Sequence, residues 1–357
     1  MSSQFHTLKV AAIDRPIEGA TTITFEVPDH LWSSFEHYPG QHLILRVVLN
    51  GEELRRSYSI NSCPHNENEP LQITVKRVQG GRVSNHINDA VQVGDTVEAM
   101  IPQGRFYADV QPDAYKTYFL FAAGSGITPI VSILKSVLLA SPNSVVHLLY
   151  GNTNQDSIIF KSELDALEQQ YPNRLTITHT LSDPKVWTTW QQWKGAKGRI
   201  DANAVEAFIT NHPPVAQSTE YYVCGPGAMN LSVRKTLLEL GVPKELIHIE
   251  HFGGADLSAG DAIPAVDATL SVSINGQKRT LQVAKQQTML QAMKAANIEV
   301  PYSCESGVCA TCVARLKSGS AEMQSNMALE DGDVAKGQIL TCQAWCTSAE
   351  VAIEVGA

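Results

Sequence analysis

The chain has 357 residues, 43% of them hydrophobic and 18% charged, which is enough for sizeable cores and two or three domains of ordinary size. Its 27 Lys and Arg against 36 Asp and Glu give a net charge of −9, arguing against a general nucleic-acid binder, whose affinity rests on neutralising phosphates. Seven unevenly placed cysteines are too few for a disulfide scaffold, and Met1–Val10 has no basic segment followed by an apolar one, so secretion is not expected.

In chain order, Thr21–Val27, His42–Leu49 and Leu71–Arg77 read as strands, rich in Val, Ile, Leu and Thr and separated by Gly, Pro or Asn. Val83–Ala90 has the one helical period of this region. An antiparallel barrel or sandwich is expected. From about Tyr115 the texture changes to alternating strand and helix: strands at Thr117–Ala123, Val145–Tyr150, Leu175–Thr180 and Tyr221–Cys224, helices at Ile130–Leu139, Ser162–Gln170 and Ala228–Leu240. That rhythm predicts a parallel sheet with right-handed crossovers. The uncharged run Tyr118–Leu134 is too short to span a bilayer and is broken by Gly124, Gly126 and Pro129, so a buried strand, turn and helix are expected. A cytoplasmic location, in a reducing compartment, follows from these features.

Residues 253–267 are small, polar and rich in Gly and Pro, marking a linker. Beyond it, Ala268–Ile274 and Lys278–Val283 flank Asn275–Gly276, a hairpin signal, and Thr288–Asn297 reads as a short amphipathic helix. The division expected is an antiparallel β-barrel over 1–110, a parallel α/β domain over 111–252, a linker over 253–267 and an α+β domain over 268–357.

The most specific signal is Cys304, Cys309 and Cys312, followed by Cys342. This C-x4-C-x2-C…C spacing is that of a plant-type [2Fe–2S] cluster, with four thiolates converging on two irons. Ser306, Gly307 and Ala310 leave backbone N–H groups able to face the sulfurs. A zinc knot would more often pair two C-x2-C knuckles. Cys346 lies close enough to rival Cys342, but packing as a small hydrophobe is expected of it. Cys63 lies outside the cluster region.

In the barrel half, Arg55-Arg56-Ser57-Tyr58-Ser59-Ile60 sets a cation, an aromatic ring and hydroxyls on one extended segment, Arg56 and Tyr58 on one face and Ser57 and Ser59 on the other. A cation beside a stacking ring suits a ligand that combines phosphate with a flat heterocycle. Gly80-Gly81-Arg82-Val83-Ser84 then opens the helix, and a helix N-terminus attracts anions. In the second half, Gly124-Ser-Gly126-Ile-Thr128-Pro129 follows a strand and opens a helix, as a phosphate-binding turn must. It departs from G-x-G-x-x-G because Pro129 takes the place of the third glycine.

Together, R-x-Y-S at Arg56–Ser59, G-x-x-S at Gly81–Ser84, G-x-G-x-x-P at Gly124–Pro129 and Cys224-Gly225-Pro226-Gly227 resemble the ferredoxin–NADP reductase-like flavoproteins. The resemblance implies an FAD-binding barrel, a nicotinamide domain and a C-terminal β-grasp ferredoxin domain. It implies FAD contacts from Arg56, Ser57, Tyr58, Ser59, Gly81, Arg82, Val83, Ser84 and Phe252. It implies NAD(P)H contacts from Gly124, Gly126, Thr128, Pro129, Cys224, Gly225 and Pro226, with Ser59, Cys224 and Glu250 lining the hydride path. The domain order resembles the reductase components of multicomponent bacterial oxygenases. The resemblance extends to reductases of phenylacetyl-CoA epoxidases through Pro39–His42, Gly51–Arg56, Ala122–Pro129 and Gly307–Cys312. Reductases of ketosteroid and aromatic-ring hydroxylases share the architecture. The implied partner is an oxygenase component, with no nucleic acid and no membrane. A general ferredoxin reductase and a redox-sensing module are the alternatives.

The coenzyme stays open. Thr153 and Asp183 stand where a cation for a 2′-phosphate would help, whereas Arg174, Lys185, Lys194, Lys197 and Arg199 offer charge nearby. The acidic group Glu330, Asp331 and Asp333 reads as a solvated helix start.

Overall fold

The computed structural model describes residues 4–185, 193–216, 218–252, 263–274 and 276–356. The chain divides into two compact units, one made of His6–Leu54 and Tyr58–Phe252, the other of Gly253–Ala357 with Met1–Phe5 and Arg55–Ser57.

The larger unit begins with a six-stranded sheet of β1 (Phe5–Ile17), β2 (Ala20–Glu26), β3 (His42–Leu49), β4 (Glu52–Ser59), β5 (Gln72–Lys76) and β6 (Thr96–Met100), in the order β4-β3-β6-β1-β2-β5. Pairing is antiparallel between β1 and β2, β2 and β5, and β3 and β6, and an isolated bridge between Ile60 and Ile73 brings the two edges together. Closure removes the exposed edges that an open sheet would present. Leu8, Val10, Ile23, Phe25, Leu43, Leu45, Ile73 and Val75 fill the interior. Helix α1 (Arg82–Asp89) covers one end, with Val83 and Ile87 inward.

The chain then forms a parallel sheet of β7 (Lys116–Ala123), β8 (Val145–Asn152), β9 (Leu175–Leu181), β10 (Ala196–Lys197), β11 (Ser218–Gly225) and β12 (Ile247–His251), ordered β10-β9-β8-β7-β11-β12. Alternation along β7 sends Tyr118, Leu120 and Ala122 into one core and Phe119 and Phe121 into another. Both faces are therefore buried, as a parallel sheet requires. Helices α2 (Ile127–Ala140) and α3 (Lys161–Gln170) carry the crossovers from β7 to β8 to β9; α4 (Ala202–Asn211) and α5 (Gly227–Glu239) belong to the return. The sequence reading has no α4, although Asp201 caps it by accepting the Ala204 N–H at 2.9 Å. Strand order reverses between β7 and β11, which is where ligands bind in such sheets.

Buried side chains pin α2 to the barrel. Ser132 Oγ donates to the Ser62 carbonyl at 2.7 Å, and Lys135 is held by Glu69 of the barrel and, at 3.0 Å, by Glu163 of α3. At its far end, Arg174 donates to the carbonyls of Val137, Leu138, Ser141 and Ser144 at 2.7–3.2 Å. That guanidinium is a C-terminal cap of α2 and is not available to a coenzyme phosphate.

The smaller unit holds β13 (Ala268–Ile274), β14 (Gln277–Val283), α6 (Met289–Ala295), β15 (Val313–Ser318), β16 (Ala321–Met323), α7 (Asp331–Ala335), β17 (Gln338–Leu340), β18 (Ala344–Cys346) and β19 (Glu350–Val355). Five strands run β14-β13-β19-β15-β17, with β13 and β19 parallel, and β16 pairs with β18. Thr288 and Gln291 form a capping box on α6, which buries Met289, Leu290 and Met293. Glu330 caps α7, so the acidic group is a helix start. Cys346 is 1% exposed in the core, packing as a hydrophobe. Of the expected linker, residues 253–262 lie outside the described residues, as does Asn275 of the hairpin signal.

Candidate functional site

The turn after β7 is built around contact. Gly124 has φ +54°, and a Cβ on Gly126 would lie 2.0 Å from the Cys224 carbonyl oxygen, so only glycine lets the turn touch the end of β11. Thr128 Oγ1 donates to the Ser125 carbonyl at 3.0 Å, and the Tyr150 hydroxyl donates to the Gly124 carbonyl at 3.1 Å, fixing the turn from both sides. Pro129 sits in the first turn of α2, where its missing N–H costs no helix bond. The N–H groups of this helix end and its dipole suit an anion.

Gly124, Gly126, Gly225, Pro226 and Phe252 line one cavity of about 820 Å³, together with Thr153, Ser182 and Arg199. This is ample for a dinucleotide half. Lys76, at the end of β5, also lines it, and its Nζ lies 3.8 Å from where a Cβ on Gly124 would stand. Burial lowers the Lys76 pKa, and no ion pair is formed by it among the described residues. Sequence reasoning misses Lys76: a lysine closing a strand carries no motif, and the barrel's share in this cavity is visible only in three dimensions. Among the other basic residues weighed for a 2′-phosphate, Lys185 is engaged by Asp156 at 2.6 Å, whereas Arg199 faces the cavity.

Ser59, Cys224 and Glu250 come from β4, β11 and β12. Cys224 and Glu250 are register partners, and Ser59 Oγ donates to Glu250 Oε2 at 3.3 Å. His42 Nδ1 stands 3.7 Å from Glu250 Oε1, with its ring covered by Gly104, where a Cβ would lie 2.8 Å from Nδ1. Cys224 is fully buried, and burial followed by the Glu250 charge pushes its thiol well above the ordinary range. It is a neutral thiol and not a nucleophile. A carboxylate, a hydroxyl and a thiol thus converge where the two sheets meet.

At the start of α1, a Cβ on Gly81 would lie 2.5 Å from Ser84 Oγ, while Ser84 Oγ accepts the Val78 N–H at 3.2 Å. The tight turn leaves the helix N–H groups outward, as a pyrophosphate needs. The Arg82 guanidinium pairs with Glu52 at 2.7 Å on the surface, and Val83 is 2% exposed in the core. Tyr58 is half-buried, Arg56 and Ser57 precede it on β4, and Arg56 is exposed. These residues fit a dinucleotide carrying a flat ring.

In the smaller unit, Glu305, Gly307 and Ala310 take positive φ of 54°, 77° and 54°, bending the loop around its own backbone. A Cβ on Gly307 would stand 2.9 Å from the Ser325 carbonyl oxygen. The Ser306 N–H points at Cys304 Sγ from 3.4 Å. The thiols of Cys309 and Cys342, then the N–H groups of Ser306 and Val308, hold Cys304 far below the ordinary thiol range. Cys304 interacts with Cys309, and Cys312 with Cys342, with Cys304 also reaching Cys342. Among the described residues, no three His, Cys, Asp or Glu side chains close on a single ion. Two pairs of thiols, ringed by N–H donors, fit a two-iron cluster.

A closed barrel, a parallel sheet with an anion turn at its switch point and a three-cysteine loop joined by Cys342 define an FAD- and NAD-binding, iron–sulfur oxidoreductase. The FAD-binding domain family of oxidoreductases matches residues 18–107, the NAD-binding domain family 120–235, and the 2Fe-2S iron-sulfur cluster binding domain family 272–347. The chain is 33% identical over 356 residues to one of the subunits of 1,2-phenylacetyl-CoA epoxidase from Escherichia coli, covering 99% of this chain and 98% of that one. It is 34% identical to the ferredoxin reductase component of 3-ketosteroid-9-alpha-monooxygenase from Rhodococcus rhodochrous, covering 94% and 93%. The solved structure of phthalate dioxygenase reductase is similar at a TM-score of 0.59 and 26% identity, covering 98% of each chain. The chain belongs to the family of oxygenase reductase components that unite FAD, NAD and [2Fe–2S] domains. No helix among the described residues is long and apolar enough to cross a membrane.

Proposed function

We propose that this reductase serves a phenylacetyl-CoA epoxidase in phenylacetate breakdown, in the cytoplasm, where its thiols stay reduced. The reading is supported by the end-to-end similarity to a component of such an epoxidase. A second oxygenase, acting on a ketosteroid, is kept in view by the 34% identity to that reductase. The proposed domains are 1–110, 111–252 and 268–357, joined through 253–267.

When bound, FAD turns a hydride from NAD(P)H into single electrons for the [2Fe–2S] cluster. The approach of Ser59 to Glu250, the register partner of the Cys224 that directly precedes the cavity-lining Gly225, supports the mechanistic reading. Arg56 and the Gly81–Ser84 turn hold the FAD pyrophosphate, with Tyr58 and Phe252 against its ring. Gly124, Gly126, Thr128 and Pro129 form the anion turn for NAD(P)H, and Lys76 neutralises a phosphate there. Cys224, Gly225 and Pro226 would set the depth to which the nicotinamide enters, and so its approach to the flavin. Ser59 and Glu250 hold a proton beside the reacting atoms, at Ser59 Oγ and Glu250 Oε2, while Cys224 excludes water. Cys304, Cys309, Cys312 and Cys342 ligate the two irons.

Reconstitution with purified oxygenase components tests the assignment. Epoxidation of phenylacetyl-CoA coupled to NAD(P)H consumption is expected; coupling only to ketosteroid hydroxylation would replace the first partner with the second.

A further inference from the structure

The run Pro39–His42 is folded tightly against the segment that leaves the barrel. Gly40, at φ +104°, lies so close that a Cβ there would stand 2.7 Å from the Phe106 carbonyl oxygen, and Gln41 Nε2 donates to the Gly104 carbonyl at 3.4 Å. His42 exchanges two backbone hydrogen bonds with Gln103, at 2.9 and 3.0 Å, and its ring lies against Gly104, at φ +118°. Backbone therefore fixes the imidazole, which is 3% exposed. Its two nitrogens differ. Nδ1 faces Glu250 Oε1, whereas Nε2 is buried with no hydrogen-bond partner among the described residues. Glu250 is held at its other atoms: its carbonyl accepts from Asn230 Nδ2 at 2.9 Å, and Oε2 accepts the Ser59 hydroxyl. Cys224, its register partner, is a neutral neighbour. Oε1 is the oxygen left to His42.

We propose that His42 is a positioning residue for the Glu250 carboxyl group: its Nδ1–H holds Oε1, so that Oε2 stays turned to the Ser59 hydroxyl. A bare ring nitrogen is cheaper to bury unpaired than an N–H, which places the single hydrogen of a neutral imidazole on Nδ1. The 3.7 Å spacing is that of an open contact, and contacts of this kind shorten when a site fills. Asn230 fixes the Glu250 backbone, but a glutamate side chain still turns about its own bonds. A donor on each oxygen removes that freedom and aims the group before the coenzyme arrives. Nothing is transferred to or from His42, which acts through Glu250. The inference rests on the reading that Glu250 lies beside the hydride path.

The first test reads the imidazole directly. In 15N-histidine NMR spectra of the full-length protein, the His42 resonances, assigned by their loss in His42→Asn, should show a neutral ring with its hydrogen on Nδ1. A hydrogen on Nε2 instead overturns the proposal. Stopped-flow flavin reduction supplies the second readout. His42→Phe keeps a flat ring without the donor; its limiting rate is expected to fall about tenfold while the coenzyme dissociation constant stays within about twofold. His42→Asn returns an N–H close to the place of Nδ1 and should recover to within about threefold of native. An unchanged rate in His42→Phe, or equal losses in both variants, overturns the proposal, the latter by showing that only the shape of the ring matters. His42→Leu replaces His42→Phe if that variant fails to load FAD, and the tautomer of the native protein decides by itself if both fail. A native limiting rate in Glu250→Gln would sink the reading on which the inference rests, a failure distinct from a hydrogen found on Nε2.

Discussion

Cys224 and Cys304 are the same residue in opposite surroundings. The first ends a central strand, fully buried beside a carboxylate, and is held as a neutral thiol. The second sits in a loop whose neighbouring thiols and N–H groups favour its thiolate. The contrast teaches that backbone geometry divides the labour. On the proposed reading, a strand end supplies a small, uncharged wall beside the hydride path, whereas a loop wound through positive φ supplies donors for bound iron.

The comparison breaks most sharply at the loop. Cys309→Ser should lower cytochrome c or oxygenase reduction about 100-fold or more while ferricyanide reduction at the flavin stays within about twofold, because the cluster lies after the flavin. Equal loss of both activities in a folded, FAD-loaded variant would reverse the order of carriers. Gly126→Ala comes next. Its methyl would meet the Cys224 carbonyl at 2.0 Å, costing about 1–3 kcal/mol in stability and roughly 100-fold in flavin reduction by NAD(P)H. Thermal unfolding and stopped-flow flavin bleaching read both, and an unchanged bleaching rate would remove the turn from the coenzyme site.

Gly307→Ala strains a residue at φ +77° and crowds the Ser325 carbonyl, a cost of about 1–2 kcal/mol from the left-handed backbone alone. Iron content should fall while flavin content holds, so elemental analysis that finds iron unchanged would show the loop to be more tolerant than its geometry. The smallest effect is expected from Cys224→Ser. A neutral thiol replaced by a hydroxyl should leave flavin reduction within about tenfold, or about 1.4 kcal/mol. Because the native thiol stays protonated, its pH–rate profile should match the native one from about pH 6 to 9. A new pH limb in the native protein alone would mean that Cys224 ionises.

Much of this is legible where chemistry forces spacing. Four cysteines can wrap two irons only through a loop of particular length, and the run Gly124–Pro129 marks itself because a strand must turn tightly into a helix. Strand His42–Leu49 matches its predicted limits, since a buried run from His42 to Leu45 opens it and the Asn50–Gly51 turn ends it. The first strand, Phe5–Ile17, does not announce itself: its pairing with the second shifts register twice, and it mixes charged with apolar residues. Side-chain direction is the harder problem. Arg82 resembles a phosphate ligand by its place in G-x-x-S, yet its guanidinium belongs to Glu52. Arg174 resembles a coenzyme cation, and Lys76 resembles nothing. Each outcome depends on which distant backbone happens to be near, which one-dimensional order does not record.

The four carbonyls gripped by Arg174 have a further implication. Three of them, from Val137, Leu138 and Ser141, are the negative pole of α2, and the positive pole opens onto the cavity lined by Gly124 and Gly126. A cation clamped to one end and an anion arriving at the other make the helix a braced strut. Recoil of the turn when a phosphate lands would have to be taken up by a rod already bolted at its base. Stiffness at the binding mouth is therefore purchased a full helix length away, by a residue that never meets the coenzyme.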